Sequence, residues 1–572
     1  MYIRSVEIKN YRAFRNFEIK LSSLSLIVGE NEAGKTSLFD ALALPLNSND
    51  ISFNQKRLSV SDINRDAITE FYDAILEKKS NAEIQKLVPR VQIEIEFTDP
   101  QGPFQEKVLR NWVHGDIIED KYRIRYVFAP KDEDDFIRTT KEILINKEKI
   151  NETHWFSLPI EHYEYSITSP HNGKKVSYSD LQHIAINLIT ADRDDFSDSN
   201  TQKSNDMLTK MLVSSLTAPE KASINNAYTA FFDSIENTKT FEKIVKPTPE
   251  FENFFKHIDR NECIPNLPNL KSILSNITLQ SGDSYLYQRG LGYRNLVYIF
   301  LLFEYFKGNG LQFNLCCIEE PEAHLSVNNL RVATDFIYKS SSKSNPKLQT
   351  LVSSHNPLII NKLQLSNVIV VSGDKSISLE DSDDKLTNYL RKRPNFDILK
   401  LLFSDRTILV EGTTEEMLIN SMLSNDKDNI HRIEVISIGQ KGFKTFMDIW
   451  LQVNQGNKNK KLGIIRDRDD IEKDAKAKAD HEKYSIDHKN IIVRTTKEYT
   501  LENDLVAAGK NLEGLQKIFD NKYDKNRMEK YLIDSKAESM LTICDAIFSK
   551  DDDKKIVLPK HIQEVVGFLT DD

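Results

Sequence analysis

Cysteine is scarce. Four residues in 572 (Cys263, Cys316, Cys317 and Cys544) show no paired or metal-type spacing. That pattern excludes a disulfide framework and a cysteine-ligated zinc site. Two of the four are adjacent inside an apolar run, so buried, reduced thiols in a cytoplasmic protein are expected. Long hydrophobic runs are also missing. None approaches the roughly 20 residues that a bilayer-spanning helix requires. The opening, MYIRSVEIKNYRAF, alternates like a strand and has no signal-peptide core, so no membrane role is expected. Excess positive charge is absent too: a net charge of −9 argues against a surface coated with basic residues, though not against a local basic channel. No internal repeats or long low-complexity tracts occur. What remains, 39% hydrophobic and 28% charged residues, is the composition of an ordinary folded protein. The length suggests about three or four domains.

The most informative segment is SLSLIVGENEAGKTSLFDAL. Leu24 to Val28 reads as a buried strand, and Ser37 to Leu42 as the start of a helix. Between them Gly29-Glu30-Asn31-Glu32-Ala33-Gly34-Lys35-Thr36 fits the phosphate-loop pattern G-x-x-x-x-G-K-[ST] in the strand-to-helix setting that pattern requires. At average residue usage a chance match is on the order of one in a hundred. Glycines at 29 and 34 permit a tight loop whose N–H groups gather at the positive end of the helix, where phosphates bind. Lys35 is expected to meet the β- and γ-phosphates, and the Thr36 hydroxyl to hold Mg²⁺. ATP is the expected nucleotide, with Gly29, Asn31, Gly34, Lys35, Thr36 and Ser37 as its contacts.

Elsewhere the pattern predicts two strands at Ile3 to Lys9 and Phe17 to Leu21. Strictly alternating strands are expected at Val91 to Phe97 and Tyr122 to Phe128, half-exposed and antiparallel. Residues 197–262 turn polar with helical spacing and read as a helical insertion. Asn295 to Phe306 reads as an apolar helix, and Leu315 to Ile318 and Gln349 to Ser353 as buried strands. Short helical pieces are expected around Leu386 to Arg391, stopped by Pro394, and at Phe396 to Phe403. Lys458, Lys460 and Lys461, and the run Asp551, Asp552 and Asp553, read as exposed loops.

Chemistry at a γ-phosphate needs a Mg²⁺-side carboxylate and a group that orients water. The apolar run Cys316-Cys317-Ile318 ends in Glu319-Glu320, placed for those two tasks, and His355 follows the next strand where it can sense the γ-phosphate. Together the EIKNYRAF opening, the phosphate loop, EEPEAHL and SSHNP resemble the ABC-type ATPase heads of the RecF and SMC group. That resemblance places Arg12 near the nucleotide. It departs at the signature segment. The usual Ser-Gly-Gly run is replaced by Gln288-Arg289-Gly290-Leu291-Gly292, which argues against a strong ATP-driven head clamp, although Gly290 and Gly292 can bring backbone close to a phosphate.

A second α/β pattern begins at Thr407. Thr407 to Val410 is an apolar strand ending in Glu411-Gly412, and Glu415 lies four residues on. If a helix starts near Thr413, both carboxylates can converge at the strand's C-terminal end, where open α/β sheets place ligands. Leu462 to Ile465 leads into Asp467-Arg468-Asp469. Side chains two apart on extended chain point the same way, so the two aspartates can share an ion. Glu502, after a strand at Ile491 to Val493, adds another acid, and Asp504 a further candidate. Oxygen-rich clusters suit Mg²⁺ or Mn²⁺, and paired divalent ions suit phosphodiester cleavage. In a chain with 86 acids a lone D-x-D is usually a solvated loop; three acidic strand ends in order shift the balance.

Acid-glycine followed by D-x-D resembles a Toprim domain, and an ATPase head followed by Toprim resembles the OLD (overcoming lysogenization defect) family of nucleases. The resemblance implies an α/β protein: an ABC-type head (1–196 and 263–394) with an insertion at 197–262 for dimerisation, then a Toprim domain (395–572). It implies a metal-dependent endonuclease acting on double-stranded DNA, often in phage defence. Its metal-binding acids correspond to Glu411, Glu415, Asp467, Asp469 and Glu502, and its transition-state lysine to Lys560 in Val557-Leu558-Pro559-Lys560-His561. A homodimer or homotetramer is implied, with a helicase partner if the system is of the Gabija type. The alternative is a RecF-like DNA-loading ATPase whose Toprim domain is structural. A topoisomerase would need a nucleophilic tyrosine in a separate cleavage domain, and nothing in 396–572 resembles one.

Overall fold

The computed structural model describes the chain except residues 47–55, 115–120, 146–156, 191–205, 237, 239–268, 276, 309, 342–346, 381–387, 391, 394–395, 425–432, 440–441, 455–456, 458, 469–470, 549–555 and 572. Cys263, Leu386, Arg391, Pro394, Lys458, Asp469, Asp551, Asp552, Asp553 and most of 197–262 lie outside the described residues. The chain forms two compact units. One comprises Met1–Val28, Glu32–Ser354 and Gly373–Ser376; the other comprises Gly29–Asn31, His355–Ser372 and Ile377–Asp572. No helix among the described residues is long and apolar enough to cross a membrane.

The first unit begins with β1 (Tyr2–Tyr11), β2 (Phe14–Lys20) and β3 (Leu24–Val28), followed by α1 (Lys35–Leu46). Three further strands follow: β4 (Val91–Thr98), β5 (Lys121–Pro130) and β6 (Tyr163–Thr168). They join β1 and β2 in an antiparallel sheet ordered β2-β1-β4-β5, with β6 also paired to β5. Alternation in β4 predicts a half-exposed strand, but Glu94 and Glu96 are only 5% and 6% exposed. The reason lies on β5. Arg123 bonds both glutamates and Arg125 bonds Glu94 at 2.7 Å, so the ion pairs roof that face of the strand. The arginines themselves stay 23% and 35% exposed, so removing one costs on the order of 1–3 kcal/mol, the penalty of a buried acceptor left short of a donor.

The second sheet of this unit is parallel. It is built by β7 (Ile184–Ile189), β8 (Phe313–Glu319), β9 (Leu348–Ser353) and β3, in the order β3-β9-β8-β7. Every residue of β3, β8 and β9 is buried, as parallel strands covered on both faces require. Cys316 and Cys317 lie in β8 and are buried, reduced thiols, as is Cys544. Between β7 and β8 come α2 (Asp206–Ser215), α3 (Ala218–Glu236) and α4 (Leu291–Gly308).

The second unit carries a smaller parallel sheet. Its strands are β10 (Arg406–Val410), β11 (Ile433–Ser437), β12 (Lys461–Arg466) and β13 (Ile491–Thr495), ordered β11-β10-β12-β13. Helices α5 (Thr413–Leu423), α6 (Leu501–Ala507), α7 (Lys525–Phe548) and α8 (Lys560–Thr570) share one apolar core with these strands, including Ile408, Val410, Leu418, Leu505, Ile543 and Ile562. After β10 the chain steps to one side to form β11, then to the other to form β12. The gap between β10 and β12 is therefore a topological switch point, where open α/β sheets leave a crevice beyond the strands' C-terminal ends.

Two loop expectations are corrected, and the first is Lys461, which opens β12 half-buried with its ammonium donating to the Phe568 carbonyl at 3.0 Å. Lys460 is not an exposed lysine but is 8% exposed. Its ammonium pairs with the Glu30 carboxylate at 2.9 Å, donates to the Phe403 carbonyl at 2.7 Å and lies over the Phe403 ring, so these groups replace water around the charge.

Candidate functional site: a phosphate loop and an acidic strand edge

The loop between β3 and α1 needs glycine at position 34 for two reasons. Its φ is +95°, and a Cβ there would lie 2.6 Å from the ring of Phe14. The Gly34 carbonyl then accepts from Leu38 N–H at 2.9 Å, which begins α1. Gly29 is buried, Asn31 and Thr36 are exposed, and Lys35 and Ser37 are half-buried. Burial pushes the Lys35 ammonium below its ordinary value, while the Glu320 carboxylate acts in the opposite sense.

Glu319 closes β8, is 8% exposed and is paired in register with Ser353 of β9. Glu320 follows in the left-handed region at φ +40°, and its N–H donates to the Ser353 carbonyl at 2.9 Å. A non-glycine residue held at positive φ costs on the order of 1–3 kcal/mol and marks a position that its surroundings enforce. Beyond it, Glu322 accepts from the Ser354 hydroxyl at 2.8 Å. His355 lies half-buried, two residues after β9.

Arg12 is held from two sides. Its Nη1 lies 2.6 Å from Asp40 of α1, and its Nε donates to Asp62 at 3.0 Å. Burial acts upward on Asp62, but donors from Ser59 and Arg12 hold its carboxyl below the ordinary range. The guanidinium is thus tethered to the helix that follows the phosphate loop. Gly292 also has a packing reason: a Cβ there would lie 2.3 Å from the His324 carbonyl oxygen. Asn295, one turn on in α4, donates to the Ala323 carbonyl at 3.2 Å. The start of α4 therefore seats on the loop that carries Glu319 and Glu320.

In the second unit, Glu411 and Asp467 follow β10 and β12, which are neighbours. Glu411 Oε1 accepts from the Asp467 N–H at 3.3 Å, so the two acidic strand ends meet at the switch point. Glu415 is turned differently. It is buried, and its Oε2 accepts from Gly412 N–H and from the Thr414 hydroxyl, both at 3.1 Å, capping the start of α5. Glu502 is buried in the first turn of α6. Asp504 is occupied by protein donors: Glu498 N–H on Oδ1 at 2.8 Å, Lys497 N–H on Oδ2 at 2.8 Å, and His561 Nδ1 on Oδ2 at 3.0 Å. Burial acts upward on its carboxyl, yet His561 and the two backbone donors hold it below the ordinary value. Lys560 opens α8 with an exposed side chain, 3.9 Å from Glu564.

Among the described residues, no three His, Cys, Asp or Glu side chains stand close enough to hold a metal ion. Glu411 and Asp467 carry carboxylate oxygens, the donor type that hard divalent cations take. Glu415 caps its helix through Oε2.

Residues 1–360 match the family model described as "AAA ATPase domain". The chain belongs to that AAA ATPase family. Residues 402–469 match a second model, the Toprim domain of overcoming-lysogenization-defect-like proteins. The order of an ATPase head and an OLD-like Toprim domain in an α/β chain thus agrees with the motifs. Endonuclease GajA of Bacillus cereus (strain HuB5-5) is 23% identical over 531 residues, covering 77% of this chain and 73% of that protein. Among solved structures, the Smc head domain with an extended coiled coil from Pyrococcus furiosus is 16% identical, with 68% of this chain and 99% of that chain covered and a TM-score of 0.33. The Thermotoga maritima SMC head domain is 13% identical, with 66% and 97% covered and a TM-score of 0.29.

In this AAA-family chain, motif reasoning missed Asp40, which anchors Arg12, and His561, which holds Asp504. Neither belongs to a spacing pattern. Only the adjacent Lys560-His561 pair at a helix start was available as a signal.

Proposed function

We propose that this protein is an ATP-regulated, divalent-metal-dependent DNA endonuclease that nicks or cuts double-stranded DNA at the edge between β10 and β12, acting in antiphage defence. The observation that carries the reading is the meeting of Glu411 and Asp467 at adjacent strand ends, 3.3 Å from carboxylate oxygen to backbone nitrogen. The OLD-like Toprim match over the same strands and the relative named as an endonuclease support it.

Glu411 and Asp467 would hold the first ion, and Asp469, Glu415 and Glu502 are the remaining candidates. A bound divalent ion activates water and neutralises the leaving oxygen of a phosphodiester. Lys560 contributes a mobile positive charge for the non-bridging oxygens of the phosphate. In the ATPase region, Lys35 would hold the β- and γ-phosphates and Thr36, with Glu319, the nucleotide's Mg²⁺. Glu320 would orient water, and His355 would sense the γ-phosphate.

The domain limits proposed are 1–196 and 263–394 for the head, 197–262 for a dimerising insertion and 395–572 for Toprim. The working form is a homodimer or homotetramer, joined by a helicase if the system is of the Gabija type.

The test is incubation of supercoiled plasmid with the protein in Mn²⁺ or Mg²⁺, with and without ATP, and with EDTA as the control. Metal-dependent nicking that EDTA stops and ATP alters supports the reading. No cutting under any of these conditions overturns it in favour of a DNA-binding ATPase with a structural Toprim domain. The capping role of Glu415 is the observation that favours that second reading.

A further inference from the structure

A continuous set of hydrogen bonds runs from the acidic edge to the start of α8. Next to Asp467, Arg468 N–H donates to the Thr496 hydroxyl at 2.9 Å, and Arg468 Nη1 donates to the Lys497 carbonyl at 2.9 Å. Thr496 N–H returns to the Arg466 carbonyl at 3.0 Å. The next two N–H groups, of Lys497 and Glu498, both bind the Asp504 carboxylate, which also takes Nδ1–H of His561. His561 is the residue after Lys560, in the first turn of α8. Its side chain is 7% exposed, so the imidazole is an internal fixture, whereas Lys560 is 89% exposed.

The same elements enclose a cavity of about 320 Å³, lined among others by Arg494, Thr495, Lys497, Lys560, His561 and Glu564. Two buried polar atoms of its lining residues, Nε2 of His561 and Oγ1 of Thr495, have no hydrogen-bond partner among the described residues. Such atoms cost on the order of 1–3 kcal/mol each unless water or a ligand meets them. Asp504 engages Nδ1 and so orients the imidazole ring, as carboxylates do for functional histidines.

We propose that His561 is a positioning residue: clasped by Asp504, it registers the first turn of α8, and with it Lys560, to the strand end that carries Asp467. The inference deepens the nuclease reading and rests on it. A lysine ammonium on a flexible four-carbon stem has many positions open to it. It serves a phosphate only if its backbone origin is held to within about 0.5 Å of the productive place. The bonds through Thr496, Lys497, Glu498 and Asp504 supply that hold, and His561 is the link that reaches α8.

The experiment uses the full-length protein and Mn²⁺-dependent plasmid nicking. Asn places an amide N–H near the position of Nδ1, whereas Gln places its amide near Nε2. His561→Gln, which loses the clasp, is expected to lower kcat by about tenfold or more with KM within about twofold. His561→Asn, which keeps the clasp, is expected to recover most of the wild-type kcat. The unfolding temperatures of the two variants should agree with each other. Equal rates for His561→Gln and wild type overturn the inference, as do equal losses in both variants or a loss confined to KM. Activity retained by Gln and lost by Asn also overturns it, because Nε2 would then act directly on the substrate. If the wild type itself does not nick, the nuclease reading fails and the positioning role fails with it. A wild type that nicks beside an unaffected His561→Gln sinks the positioning role alone.

Discussion

The phosphate loop and the acidic strand edge make opposite demands on the chain. The first is nearly all local. Gly34, Lys35 and Thr36 are consecutive, the loop's N–H groups come from backbone, and one strand and one helix supply the frame. The second is assembled from ends. Glu411 and Asp467 are 56 positions apart in sequence and meet only because β10 and β12 are neighbours. Local sites therefore survive translation from motif to structure with little change, while assembled sites are rearranged by whatever else each side chain can bond. Glu415 illustrates such added bonding: in the fold its Oε2 accepts from the N–H of Gly412, the residue that caps its own helix.

The largest expected effect tests whether the assembled site exists at all. Asp467→Ala and Glu411→Ala should each reduce plasmid nicking by on the order of a thousandfold, since a lost ion removes several kcal/mol of transition-state charge stabilisation. ATP binding should be untouched. Nicking at the wild-type rate in both variants would reduce the edge to a pair of hydrogen-bonded surface acids.

Glu320→Gln comes next and probes the local site's chemistry. A water-orienting carboxylate acts on the reaction rather than on binding, so ATP hydrolysis should slow by about 100-fold or more while nucleotide affinity holds. Loss of affinity at an unchanged turnover rate would reassign Glu320 to binding. Lys35→Ala should do the reverse. Removing a charge that meets phosphate costs about 2–5 kcal/mol, a fall in ATP affinity of roughly 30-fold or more by titration calorimetry. Unchanged ATP binding would end the phosphate-loop reading.

The smallest effect concerns Arg12 and Asp62. The Asp62 carboxyl is held below its ordinary value, so its contribution to stability is complete above the unfolded carboxyl value of about 3.9 and is lost as pH falls through the depressed folded value. Arg12→Ala removes one cause of that depression. The gap in unfolding temperature between wild type and Arg12→Ala should therefore narrow as pH drops from about 5 to 3. Because the pair is partly exposed, the whole effect is about 1 kcal/mol or less. A gap that stays constant across that range would mean that Arg12 stabilises the fold by packing alone.

Legibility followed the same division. The apolar strands were readable because every residue of Leu24–Val28 and Leu348–Ser353 faces packed protein, and such runs have one plausible fate. Alternation in Val91–Thr98 was readable as a strand but not as an enclosed one. The arginines that cover Glu94 and Glu96 sit on another strand, about 30 positions away in the chain. Lys460 reads as part of a solvated lysine cluster, and the Glu30 carboxylate and the Phe403 carbonyl, both far away in sequence, show why it is buried. Gly292 reads as a backbone approach to phosphate, and the His324 carbonyl gives it a packing duty that spacing does not show.

By itself, then, the sequence determined the α/β class, the phosphate loop and the acids that end the strands. Each depends on residue type and spacing within about ten positions, over which the backbone's geometry leaves few choices. Tertiary structure alone decided the strand order that sets Glu411 beside Asp467. It also decided which protein donors Glu415 and Asp504 accept from, and the clasp that joins His561 to Asp504. Those outcomes turn on competition: a buried carboxylate must be satisfied by the nearest donors, and which donors are nearest is fixed only when distant segments pack together.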